Sequence, residues 1–187
     1  MKRGSVLLMG ILGVISMLFS GCSGFLGLES NENKVDAIFD QLLYAIEAKD
    51  EKTIEELFAK NVISEENNFD QSVEKLLSFC NGEVVSYDIR PSRITAEDRK
   101  WSEHTTDISS AYDVKTTEGQ YRFAMKYRSA DSKEPRNVGI VSLYVTECEN
   151  EEYLKFAYWG DGNWTPGIVI EPKEISGERF SARLSKG

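Results

Sequence analysis

Glu103, His104, Asp107 and Asp113 are the residues of this chain whose types and spacing suit proton transfer, with Tyr87, Tyr112 and Tyr121 as accompanying hydroxyl donors. General acid–base chemistry needs such a group within hydrogen-bond reach of a substrate and at a tuned pKa. Each has an ordinary packing explanation as well. Glu103 and His104, the only histidine, fall at the junction of a polar loop and a strand. Asp113 alternates to the face opposite Tyr112 and Val114.

Other chemistry is thinly represented. One histidine and no close cysteine pair make no metal-ligand cluster, so no metal and no cofactor are expected. Asp161-Gly162-Asn163 supplies half of a calcium loop, but the remaining spaced oxygens and the terminal Glu are missing, which favours a turn. Glycine-rich phosphate motifs are absent. An aromatic set, Tyr112, Tyr121, Phe123, Tyr127 and Trp159, offers the other kind of site: if it faces the helices it lines a small-molecule cleft, and otherwise it fills the core. Ile140, Tyr144, Leu154, Phe156 and Tyr158, interleaved with Arg122 and Lys126, are assigned to the outer sheet face, where an exposed patch would support a homodimer. Cys80 and Cys148 are two thiols whose pairing the sequence leaves open.

The elements that position these residues are strands first. In 120–128, Tyr121, Phe123, Met125 and Tyr127 alternate with charged residues, and Glu118-Gly119 turns this strand back onto 106–116. Strand 137–147 has apolar residues on both parities, as a centrally placed strand does. Glu149, Asn150 and Glu151 make a hairpin into 152–159. Residues 83–90 read as an edge strand ended by Pro91, 91–103 as a long polar loop, and 167–170 as a last strand.

Three helices precede the sheet. Val35, Ile38, Phe39, Leu42, Leu43 and Ile46 form one apolar stripe, Asp50 caps a second helix over 51–60, and Phe69, Val73, Leu76, Leu77 and Cys80 mark a third over 69–80 that stops at Asn81-Gly82. Helices followed by a run of antiparallel strands make an α+β fold.

Before them lie Lys2 and Arg3, an apolar run from Val6 to Phe19, and Ser20-Gly21-Cys22. A charged start, an apolar stretch too short to span a bilayer and small residues before a cut are the parts of a secretory signal. The chain is therefore expected to divide into a lipoprotein signal peptide over 1–21, a flexible tether over 22–32 after a lipidated Cys22, one domain over 33–170, and a polar tail over 171–187, loosely held or disordered. Removing Lys2 and Arg3 leaves 20 basic against 31 acidic residues, a balance of −11. That acidity argues against nucleic acid as a partner and against lying flat on anionic lipid, since both need a basic surface.

Ser20-Gly21-Cys22 is similar to a bacterial lipobox, with Phe19 where an aliphatic residue is usual. The resemblance implies a diacylglycerol on Cys22 and an extracytoplasmic, membrane-tethered location. The segment YAIEAKDEKTIEELFA resembles the opening of nuclear transport factor 2-like domains, relatives of ketosteroid isomerases within the cystatin-like superfold. Tyr112-Asp113-Val114-x-Thr116, Tyr121-Arg122, Tyr127, Asp131 and Asn137-Val138-Gly139, taken with the lipobox, look like a lipoprotein family of Gram-positive anaerobes described as a domain of unknown function. These resemblances imply N-terminal helices on a strongly curved antiparallel sheet, a cone whose concave face holds a pocket. A non-catalytic small-molecule or protein binding module is the expected role. The alternative is a pocket enzyme of isomerase or dehydratase type using Glu103, His104 and Asp107.

Overall fold

The computed structural model describes residues 30–91, 93–148 and 163–170. Helix α1, Asn31–Ala48, starts where the Ser30 hydroxyl accepts the Asn33 N–H at 3.2 Å. It buries Val35, Phe39, Leu42, Leu43, Ala45 and Ile46, the stripe expected from the sequence. It ends at Lys49, whose left-handed backbone returns its N–H to the last turn while its Nζ donates to Leu77 O. Asp50 then caps α2, Glu51–Leu57, by accepting the Thr53 N–H and hydroxyl at 3.1 and 2.6 Å.

The second helix is shorter than expected. Phe58 and Ala59 leave the helix for extended backbone, and the Ala59 N–H donates to Ile140 O at 3.0 Å in a parallel bridge to the sheet. The backbone approach is so close that a Cβ at Gly139 would lie 2.5 Å from Ala59 N. A separate helix α3, Lys60–Glu65, follows; six residues with Val62 as the buried one carry too little periodicity to read in advance. Helix α4, Phe69–Phe79, buries Phe69, Val73, Leu76 and Leu77 as expected.

Six described strands form one mixed, mostly antiparallel sheet: β1 Val84–Ile89, β2 Ile94–Lys100, β3 Glu103–Thr116, β4 Gln120–Asp131, β5 Gly139–Glu147 and β6 Gly167–Ile170. The order is β1-β3-β4-β5-β6, and β6 runs parallel to β5. Both β1 and β2 pair with β3, one with each half, so together they make one long edge interrupted at Arg90–Arg93. This corrects the polar loop expected over 91–103. All seven residues of β2 are exposed, so the backbone ladder alone holds it, without an apolar alternation to announce it. Pro135–Asn137 is a 3-10 turn, so β5 begins two residues later than expected.

The expected strong curvature is not present: the sheet is not strongly curled. Register breaks at Ser129 of β4 and Val141 of β5 bend it locally. Against its inner face the Phe39 ring stacks flat on Tyr112, with centroids 3.6 Å apart and planes 6° apart. The volume a cone would enclose is filled by α1, and the main core is one apolar cluster between the helices and this face. The signal segment, the tether up to residue 29, the strand expected over 152–159 with its hairpin, and the tail 171–187 lie outside the described residues. Asn31 and Glu32, assigned to the tether, open α1.

Candidate functional site

The three residues of the catalytic alternative are divided between the two faces of β3. Alternation puts His104 and Thr106 on the side of buried Ile108, while Glu103 and Asp107 point the other way. Glu103 is exposed and pairs with Lys133 at 3.3 Å. His104 Nε2 lies 3.1 Å from the Thr106 hydroxyl. Asp107 is gripped by Arg128, whose Nε and second guanidinium nitrogen donate at 2.6 and 3.0 Å, with Lys126 Nζ at 3.2 Å. Burial works against its charge, but the Arg128 hydrogen bonds and the two cations outweigh it and hold the carboxyl below its usual range. A general base with a raised pKa is the opposite of what this environment produces. Asp113 sits on the same outer face and is held the same way, by Arg122 at 2.5 and 2.8 Å and Arg90 at 3.4 Å.

The aromatic set divides as well. Tyr112, Tyr121 and Phe123 are buried in the main core, Tyr127 is half-buried against it, and Trp159 lies outside the described residues. The Tyr112 hydroxyl donates to Asp36 at 3.0 Å, and Arg93 reaches the same carboxylate while its Nε donates to Ser110 at 3.3 Å. One turn along α1, Asp40 accepts from Tyr87 at 2.7 Å. Burial, reinforced by Asp40, pushes the Tyr87 hydroxyl up to about 12, and burial raises Tyr112 too. Sequence reasoning passed over Asp36 and Asp40. The available signal was two carboxylates four residues apart, flanking the apolar stripe of a helix that had to face tyrosine-bearing strands.

The outer-face patch is also rearranged. The extra residue Val141 shifts register, so Ile140 belongs to the inner core whereas Tyr144 packs with Ala111 and Ala124 on the outer face, under Trp164 and Val169. Tyr144 is fully buried there. Leu154, Phe156 and Tyr158 lie outside the described residues.

What remains open is a cleft of about 140 Å³ where the C-terminal ends of α1 and α4 meet the start of β1 and the β3–β4 turn. Leu43, Ile46, Val84, Val114 and Phe123 give it an apolar floor, and Glu47, Lys49, Asn81, Thr116 and the Tyr121 ring form the rim. Glu47 accepts the Val84 N–H at 2.6 Å and the Tyr121 hydroxyl accepts the Asn81 N–H at 3.2 Å, so the rim is rigidly tied. Cys80 also borders it, and burial pushes its thiol up to about 12, leaving no thiolate at neutral pH. Both Cys80 and Cys148 are free thiols. The sequence points to Tyr121 and Phe123 but presents Asn81 and Gly82 only as a helix stop, and gives Lys49 no role in a site. No periodicity signals a site built where helix ends converge.

A wider hollow of about 300 Å³ lies over the α3–α4 turn, lined by Glu66, Asn67, Asn68, Asp70 and Gln71 among others. Its Glu66 accepts from Ser72 at 2.8 Å and packs against Gly167, fastening the turn to β6. Among the described residues no group of three or more His, Cys, Asp or Glu side chains is placed to hold a metal, and no helix is long and apolar enough to cross a membrane.

Comparison with known proteins adds a family. The model described as a domain of unknown function (DUF5104) matches residues 41–149, from the middle of α1 to just past β5. No curated protein matches the chain.

Proposed function

We propose that this chain, which belongs to the DUF5104 family, is a lipid-anchored, extracytoplasmic module that binds a small molecule in the cleft beside Tyr121. The observation that carries this reading is the cleft's construction: an apolar floor ringed by polar groups that are already fixed by hydrogen bonds within the domain. Sites for small molecules combine those two features. At about 140 Å³ it is well below the usual range of roughly 300–1,000 Å³. Its ligand is therefore small, with an apolar body and one hydrogen-bonding group directed at the Asn81–Tyr121 rim. The reading is one of binding without turnover: the cleft's thiol is protonated and the arginine-clamped carboxylates Asp107 and Asp113 lie on the other face of the sheet. The lipid anchor rests on Lys2, Arg3, the apolar run to Phe19 and Ser20-Gly21-Cys22.

Native mass spectrometry of the mature chain Cys22–Gly187, purified from the source bacterium, tests the proposal. A small bound mass that disappears on denaturation is expected, and Val84→Trp, which fills the cleft from the edge strand, should lack it. A ligand retained by the Val84→Trp protein would place binding elsewhere, and its absence from both proteins would end the small-molecule reading.

A further inference from the structure

Trp101 forms the tip of the β2–β3 hairpin with Ser102, and it is 108% exposed, more open than a tryptophan in a reference peptide. Its φ is +57°, a backbone region that bulky residues rarely adopt. The two-residue connection between Lys100 and Glu103 calls for a positive φ at its first position, so the turn accounts for the backbone but not for the indole: β2 is exposed along its whole length and, among the described residues, none covers Trp101. A fully exposed tryptophan at a turn position that ordinarily takes Gly, Asn or Asp points outside the domain for its purpose.

The fold says which direction the tip faces. Along α1, Asp36 meets Arg93 and Tyr112, Asp40 meets Tyr87, and Glu47 meets Val84. The helix therefore runs antiparallel to the β1–β2 edge and in the same sense as β3. Its N-terminus and the β2–β3 hairpin lie at the same end of the molecule. From the level of Ser110, β3 extends back seven residues to Glu103, roughly 23 Å, while α1 extends back five residues to Asn31, roughly 8 Å. The tip thus projects roughly 15 Å beyond the point where the chain enters the domain. Between Cys22 and Ser30 there are eight residue steps, a reach of up to about 29 Å.

The charges at this end cancel. Arg99 pairs with Glu97 at 3.0 Å, Lys100 with Asp98 at 3.0 Å and Lys133 with Glu103 at 3.3 Å, in a chain that is strongly acidic as a whole. This end can therefore approach an anionic surface without the repulsion the remainder would meet. Tryptophan is the residue that settles at the boundary between headgroups and acyl chains.

We propose that the β2–β3 tip is a second membrane contact, with the Trp101 indole seated in the headgroup region of the bilayer that holds the lipid on Cys22. The proposal rests on the anchored reading for its geometry. The test separates the two by tethering the mature chain through an N-terminal hexahistidine to nickel-chelating lipid, which sets the same distance whether or not Cys22 is lipidated in the cell. Tryptophan emission is compared on phosphatidylcholine–phosphatidylglycerol vesicles with and without brominated acyl chains, for the wild type and Trp101→Phe. Brominated lipid should quench a fraction of the wild-type emission, and that fraction should be lost in Trp101→Phe. Equal quenching in both proteins, or none in either, overturns the membrane contact; in the second case protection of Trp101 only in intact envelopes would assign the tip to a protein partner. The mass of native Cys22 independently reports whether the anchor itself is present.

Discussion

Phe39 and Tyr112 lie face to face, 3.6 Å between ring centroids, across the junction of α1 and the sheet. Tyr87 and Phe123 meet Phe39 edge-on at 5.3 and 5.6 Å, so four rings from a helix and three strands close the space over the inner face. Truncating Phe39 to alanine should cost about 3–5 kcal/mol of stability. A double-mutant cycle with Tyr112→Ala should return about 0.5–1.5 kcal/mol of coupling beyond area burial. Urea midpoints measure both, and zero coupling would mean that the stacked geometry contributes nothing specific.

Gly139 is the second position at which one atom matters. Its φ is +136°, and a Cβ there would lie 2.5 Å from Ala59 N and 2.8 Å from Phe58 C. Gly139→Ala combines backbone strain with displacement of the Phe58–Ile140 bridge, and a loss of about 2–4 kcal/mol is expected. Hydrogen exchange at the Ala59 amide should rise with it; a variant as stable as the wild type would contradict the close approach.

Asp107 and Asp131 should make the fold acid-sensitive. Asp131 accepts from Asn137 Nδ2 and the Glu134 N–H, both at 2.9 Å, and from the Lys133 N–H at 3.1 Å, and these bonds hold its carboxyl below the usual range. Burial opposes the charge of Asp107, but the Arg128 hydrogen bonds and the two cations prevail. A folded-state pKa below the unfolded one supplies stability that is complete above about 3.9 and lost as pH falls through the folded value. Asp131→Asn should therefore weaken the protein at pH 7 yet flatten its decline below pH 4. Urea titrations at the two pH values check this, and parallel declines would show that Asp131 is not responsible.

Thiol chemistry gives an independent check on the core. Cys80 is buried with its thiol pushed up to about 12, and burial also raises half-buried Cys148. At pH 8 a thiol reagent should label Cys80 only after denaturant is added, with Cys148 reacting ahead of it, and the denatured protein should show both. A denatured chain with neither thiol free would instead mean that the two are paired.

Legibility in the sequence followed the strength of the periodic signal. The stripe from Val35 to Ile46 is readable because one face of α1 is buried, and the alternation of Tyr121, Phe123 and Met125 because Arg122 and Lys126 mark the other parity, although β4 buries both faces over 121–125. β2 was not, because Ile94–Lys100 buries neither face and is specified by its partner β3. The helix break at Phe58 was hidden for a similar reason: its cause is Ile140, about 80 residues away. For the site, residue types identified Tyr121 and Phe123 as aromatic and apolar, but whether they line space or fill it depends on where the ends of α1 and α4 stop. His104 and Asp107 looked like partners from their spacing, and strand alternation places them back to back.

The length of α1 fixes more than packing. Its 18 residues span roughly 27 Å, with the chain's point of entry at one end and the Tyr121 cleft at the other. For a domain tied down at Cys22, the helix is a mast: it lifts the cleft away from the bilayer and opens it toward the water beyond. If the proposed anchor and hairpin contact both hold, a solute diffusing in from the medium meets the cleft first, whereas a lipid moving within the leaflet meets the hairpin. On that proposed arrangement the ligand would be supplied from the water, with the membrane serving as a mooring.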